Sequence, residues 1–366
     1  MRLIKTGVKR FVKNMDLKSN KAELKTPEEI IKQVLNKRRK NKYKFLLFLI
    51  AIIFMIIFIS TFEKDKTTNQ KVSTFEVDGP ITQIVSTFEK DRTTNQKVTD
   101  CNELNITNEG YILENDVTST GTCFNITKNN VTIDCKGHKI TYNSDSGDYE
   151  YAVYSKFDST TIKNCIIEEG HIGGNPNPAI RYNSNINGII DNNNITTIGH
   201  VSYGIVLENS ENNKVSNNVL NISGVQSMGV VVISKSNNNY IFNNVIKGSG
   251  EKYFFGIDVS INSNYNKVTD NSIVATGGYG IGIDTWTNSN YNIISNNIIK
   301  TSGKDYSYGL YSYGSSNNTF SDNIIVASGN NSYGIFIDSS SGLNTISGNK
   351  ITASRVRGHK IYFESD

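Results

Sequence analysis

The chain has 366 residues and a formal net charge of +4, room for two or three domains. Residues 1–44 carry 15 Lys and Arg against 4 Asp and Glu, a net of +11 that leaves −7 for the remainder. The large C-terminal part therefore lacks the basic stripe that nucleic-acid binding requires, and no nucleic acid is expected as a partner.

The basic tail, residues 1–44, is expected to be cytoplasmic. Thr26-Pro27-Glu28-Glu29 reads as a capping box with Pro at the first helical position, and Ile30, Ile31, Val34 and Leu35 give one apolar stripe. A short helix is expected there, either solvated or lying on anionic lipid. Phe45 to Phe62 follows as a mainly apolar run, at ~1.5 Å per residue roughly 27 Å long, close to the hydrocarbon core of a bilayer. Lys37-Arg38-Arg39-Lys40, Lys42 and Lys44 precede it, so the positive-inside tendency keeps the N-terminus cytoplasmic and places the rest outside. A cleaved signal peptide fits less well, because the run ends without an Ala-x-Ala-like site. Residues 45–62 are thus expected to be a transmembrane signal-anchor helix, with the lipid bilayer as partner.

Residues 63–99 read as a polar stalk. Ser60–Val72 (STFEKDKTTNQKV) recurs almost unchanged at Ser86–Val98 (STFEKDRTTNQKV). The 26-residue offset matches the period described next, yet a single interval favours coincidence over an extra coil.

Residues 100–366 are repetitive. One Asn series runs Asn218, Asn244, Asn271, Asn297, Asn323 and Asn349, and a second precedes it by five residues at Asn213, Asn239, Asn266, Asn292, Asn318 and Asn344. Apolar residues flank the first series three before (Val215, Ile241, Val268, Ile294, Phe320, Ile346) and two after (Leu220, Ile246, Ile273, Ile299, Ile325, Ile351). These runs are too short and too β-branched for helices, and they fit short strands around a turn at the Asn. The expected fold is an all-β solenoid, a right-handed parallel β-helix, with one coil per ~26 residues and strands about 4.8 Å apart. Stacked Asn amides both donate and accept, so both series are expected to be structural ladders.

These markers, together with Cys123-Phe124-Asn125-Ile126-Thr127, the run Val131 to His138 and Thr160 to Cys165, resemble the NosD-like parallel β-helix repeat family, most closely its archaeal surface members. Copper handling, which the resemblance implies for NosD proper, is not expected: His138, His171, His200 and His359 are scattered, with no Met/His cluster. No metal site or cofactor is expected, calcium remaining an open option at paired carboxylates.

The four cysteines, Cys101, Cys123, Cys135 and Cys165, all follow the apolar run, and an oxidising compartment would allow three pairings. Cys135 and Cys165 each end a β-branched strand one coil apart. Among the three pairings that favours Cys135–Cys165 with Cys101–Cys123, and buried reduced thiols are the open alternative. Sequons at Asn105, Asn125, Asn130, Asn194, Asn221, Asn317 and Asn330 permit glycosylation outside the cell.

A signature of large residue, Gly and apolar residue recurs at Tyr203, Met228, Phe255, Ile281, Tyr308 and Tyr333. Alternation beyond its Gly puts Val206, Val231, Asp258, Asp284, Tyr311 and Phe336 in one outward column, with Glu208, Ile233, Ser260, Trp286, Tyr313 and Asp338 in the next. Asp258, Asp284, Trp286, Tyr311, Tyr313, Phe336 and Asp338 form a carbohydrate-binding candidate strip: rings stack on apolar sugar faces and carboxylates accept from hydroxyls. Stacked Asp258 and Asp284 are the catalytic candidates if the protein is an enzyme, or a Ca²⁺ pair. Enzyme status is disfavoured, because the polygalacturonase NTD, DD, GHG and RIK set is not met and only Arg181, Arg355 and Arg357 follow residue 100. The expected role is structural, adhesive or glycan-binding at the cell surface, with extracellular polysaccharide as partner and a surface glycoside hydrolase or lyase as the alternative.

Overall fold

The computed structural model describes residues 95–145, 149–172, 176–354 and 358–364. The basic tail, the apolar run 45–62 and all but the last five residues of the expected stalk lie outside the described residues. Among the described residues no helix is long and apolar enough to cross a membrane.

What is described is a parallel β-solenoid built from two sheets. One has eleven strands, most of them three residues long, such as Lys214–Ser216, Tyr240–Phe242 and Lys267–Thr269. The other has sixteen strands and includes the long segments Val219–Ile233, Val245–Ser260, Ser272–Trp286, Ile298–Tyr313 and Ile324–Ile337. Each of these long segments turns a corner within one coil. The 27-residue interval between Asn244 and Asn271 is absorbed at a bulge between Gly250 and Tyr253, where Gly224 pairs with Gly250 but Gln226 pairs with Tyr253. The first strand, Asn95–Val98, already pairs with Gly110–Leu113, so the solenoid begins inside the stretch read as stalk.

The core follows the apolar periodicity. Val215, Ile241, Val268, Ile294 and Phe320 are buried on one side of the Asn turn, and Leu220, Ile246, Ile273, Ile299 and Ile325 on the other. The turn itself is left-handed one residue before each ladder Asn, at Asn217, Asn243, Asp270, Asn296 and Asp322, with φ of 56–58°. Asn and Asp tolerate that region better than β-branched residues do.

Both Asn series form ladders. Asn271 accepts from the Asn244 backbone N and Nδ2, each at 3.0 Å, and its own Nδ2 donates to Ile241 O, Thr269 O and Asn297 Oδ1 at 2.9–3.0 Å. A third ladder, of serine, was not anticipated: the backbone N of Ser210, Ser236, Ser263, Ser289 and Ser315 each donates to the Oγ of the Ser one coil on, ending at Ser341. The disulfides are Cys101–Cys123 and Cys135–Cys165. Cys165 N donates to Asn193 Oδ1 at 3.0 Å, as Asn193 N does to Asn218 Oδ1. Cys165 therefore occupies the Asn-ladder position, and a covalent link replaces the amide where the ladder ends.

Candidate functional site

The signature glycine makes the corner on which the site is built. A Cβ at Gly256 would lie 2.4 Å from Ile273 Cγ2 and 2.5 Å from Gly282 O, and one at Gly282 would lie 2.3 Å from Ile299 Cγ2. Only a glycine lets the strand approach its neighbouring coil and the core this closely. The preceding residue then stands on one side of the corner and the residue two beyond the Gly on the other, so two outward columns converge.

Register confirms the columns. Arg181, Val206, Val231, Asp258, Asp284, Tyr311, Phe336 and Tyr362 are successive partners in one. Tyr203, Met228, Phe255, Ile281, Tyr308, Tyr333 and His359 are partners in the other. Toward the N-terminal coils they bound a groove of about 500 Å³, whose walls include Tyr203, Met228 and Phe255 on one side and Glu208, Ile233, Ser260 and Trp286 on the other. Tyr149, Pro176 and Pro178 also line it. That volume lies in the range of small-ligand sites.

Asp258 lines the groove, and Asp284 is its register partner one coil on, outside the lining. They were read as outward-facing, and they do leave the core side, but neighbouring coils and the corner cover them: 5% and 2% of their surfaces remain exposed. Burial is the main cause that pushes the Asp258 carboxyl up to about 6, against hydrogen bonds from Ser260 and Asp284. Burial and then the Asp258 charge hold Asp284 well above the ordinary carboxylate value. The two carboxyls stand in register on adjacent coils, so the Asp258 charge opposes ionisation of Asp284. Ser260 Oγ donates to Asp258 Oδ2 at 2.8 Å, whereas Asp284 Oδ1 is buried with no hydrogen-bond partner.

Beyond Asp284 the same column becomes aromatic. Tyr311 and Phe336 stack at 5.3 Å, and Phe336 continues onto Tyr362 at 5.2 Å. Trp286 and Tyr313 meet edge to face at 6.2 Å, and each keeps nearly half its surface exposed (47% and 43%). Burial, then the charges of Asp338 and Asp284, push the Tyr311 hydroxyl up to about 12. Asp338 is engaged locally, accepting from Ser340 N at 2.8 Å and from Ser340 Oγ. Those bonds hold its carboxyl below the ordinary value although burial acts the other way.

The structure thus gathers Asp258 and Trp286 in the groove, places Asp284 beside Asp258, runs Tyr311, Tyr313 and Phe336 beyond, and leaves Asp338 committed to a turn. The first column, Tyr203, Met228 and Phe255, was visible as the first letter of the signature but not assigned to the site. Arg181, at the far end, donates to Tyr151 OH at 3.1 Å and pairs with Glu208. Its position, three coils ahead of Asp258, carried no sequence signal. Among the described residues no group of three His, Cys, Asp or Glu is placed to hold a metal ion.

Two family descriptions match: right-handed beta helix region, over residues 220–366, and periplasmic copper-binding protein (NosD), over residues 140–289. Their span and the in-register parallel coils agree. The chain is a right-handed parallel β-helix repeat protein. Among solved β-helices it is similar to the Dettilon tailspike protein, at 16% identity and a TM-score of 0.50, over 74% of this chain and 61% of that one. It is also similar to the A-module of an Azotobacter vinelandii mannuronan C-5 epimerase (12%, TM-score 0.49, 74% and 90% covered). Endopolygalacturonase I from Stereum purpureum is a third such structure (14%, TM-score 0.48, 74% and 93% covered). At 16% identity the tailspike match speaks to the fold alone. No curated protein matches the sequence.

Proposed function

We propose that this β-helix is a glycan-binding surface protein, held to a membrane by residues 45–62 with its N-terminus cytoplasmic and the solenoid outside. One observation carries the binding reading. A groove of about 500 Å³ is lined by both the exposed Trp286 and the buried carboxyl of Asp258, together with the large side chains Tyr203, Met228 and Phe255. Ring faces bury the apolar side of a sugar, and oriented acceptors fix its hydroxyls. Two disulfides support the placement outside, because such bonds persist in oxidising compartments.

Binding of a glycan array by the detergent-solubilised full chain tests this, against the Trp286→Ala/Tyr313→Ala double variant. The expected result is a defined set of ligands whose affinity falls at least about tenfold in the variant, since each ring contact contributes ~0.5–1.5 kcal/mol beyond area. An array without ligands would sink the reading.

Asp258 favours a second reading, a surface carbohydrate-active enzyme, because carboxyls in clefts with raised values often serve as acids or bases. Release of reducing sugars or unsaturated products, abolished in Asp284→Asn, would establish this reading instead.

A further inference from the structure

The charges in the groove do not balance. Arg181, its one cation among the described lining residues, is already paired with Glu208, and the Tyr151 hydroxyl accepts from its other arm. No described Lys or Arg forms an ion pair with Asp258 or Asp284. Asp258 receives Ser260 Oγ, but Asp284 Oδ1 is buried without a partner. A buried acceptor without a donor is costly, and a buried charge without a counter-charge more so. A ligand that supplies both would relieve both.

Resting on the glycan-binding reading, we propose that the groove selects sugars bearing a protonated amine, the hexosamine class, through Asp258, with Asp284 as its neighbour one coil on. An ammonium brings three donors and one positive charge, whereas a hydroxyl brings a single donor and no charge. Trp286, on the same groove, offers a ring face to that cation. A uronate would place a further carboxylate beside Asp258, and the one guanidinium among the described lining residues is paired with Glu208.

The pair carries one negative charge once Asp258 ionises near pH 6, so amine recognition strengthens as pH rises through that value. Of the titratable groups facing it, Tyr203 beside Asp258 and Tyr311 beside Asp284 have hydroxyls pushed above the ordinary value, Tyr311 to about 12, and stay neutral throughout. Asp338 acts only across Tyr311, and its lowered carboxyl is already charged there.

Calorimetric titration of the full chain with three oligosaccharides tests the proposal. They are a glucosamine oligomer, the N-acetylglucosamine oligomer of the same backbone with its amine masked, and an oligogalacturonate. The free amine is expected to bind at least about tenfold tighter than its acetylated counterpart at pH 7, with the advantage shrinking below about pH 6. Asp258→Asn should abolish that preference at pH 7 whereas Asp284→Asn, which leaves Asp258 to ionise, should retain it, with unchanged melting cooperativity showing that both fold. Equal or tighter binding of the acetylated oligomer, lost in Trp286→Ala, overturns amine selection and leaves glycan binding standing. An amine preference that persists in Asp258→Asn overturns it as well. Failure of all three oligomers together with an empty glycan array removes the underlying reading.

Discussion

Burying Asp258 and Asp284 against each other opposes folding at neutral pH. Their folded-state values lie above the ordinary carboxylate value, so between the two the folded chain holds more protons than the unfolded one. Stability is therefore greatest at low pH with respect to this pair, and falls as pH rises through about 6. Asp284→Asn should raise stability at pH 7 and have a smaller effect in acid, where the carboxyl is protonated in both states, as read by urea denaturation. A pair that lowers stability where the protein operates is kept for another reason, and the groove supplies one. Gly282 shows the opposite constraint. Its alanine variant must displace Ile299 Cγ2 and the Gly309 carbonyl, which a Cβ would approach to 2.3 and 2.5 Å. A loss of roughly 1–3 kcal/mol is expected in the same measurement, with the groove corner disturbed.

At the scale of the element, the ladders decide register. Asn271→Leu would leave the Ile241 and Thr269 carbonyls and the Asn244 backbone N without their partner. A cost of about 1–3 kcal/mol follows, and less for Asn349→Leu, which sits part-buried in the last coil; comparing the two melts checks this. The Asn series could be read from sequence because one residue type recurs once per coil with conserved apolar flanks. The serine series recurs just as regularly, but Ser236 and Ser263 sit in turns already crowded with Ser and Asn, where the signal merges with composition. The columns Val206 to Phe336 and Glu208 to Asp338 followed from alternation after the Gly. The burial of Asp258 did not follow, because it depends on a corner shared by neighbouring coils rather than on period-two alternation. Arg181 was invisible for a related reason: its partner Glu208 is 27 residues away.

For the whole described solenoid, the two ends differ. Disulfides clamp the first coils, joining residues 22 and 30 positions apart, whereas Ile346 and Ile351 in the last full coil are only partly buried. Coils contact only their neighbours, so opening should propagate from the weaker end. Hydrogen exchange is expected to show the least protected strands at Thr345–Ser347 and Lys350–Ala353. Reduction should then release the coils around Cys101 to Cys165, each crosslink contributing about 3 kcal/mol. Uniform exchange along the solenoid before and after reduction would contradict this. The proposed anchoring has its own check: protease added to intact cells should trim the β-helix and leave a membrane fragment containing residues 45–62.

The chain has one tryptophan, and it stands half-exposed on the groove against the edge of Tyr313. Its fluorescence is therefore a built-in, single-site reporter. A ligand seated between Trp286 and Asp258 displaces water from the indole and shifts its emission, while events at the disulfide end or in the Asn turns leave it dark. Occupancy of this groove can be followed in the unlabelled protein, without the ambiguity that several indoles would introduce.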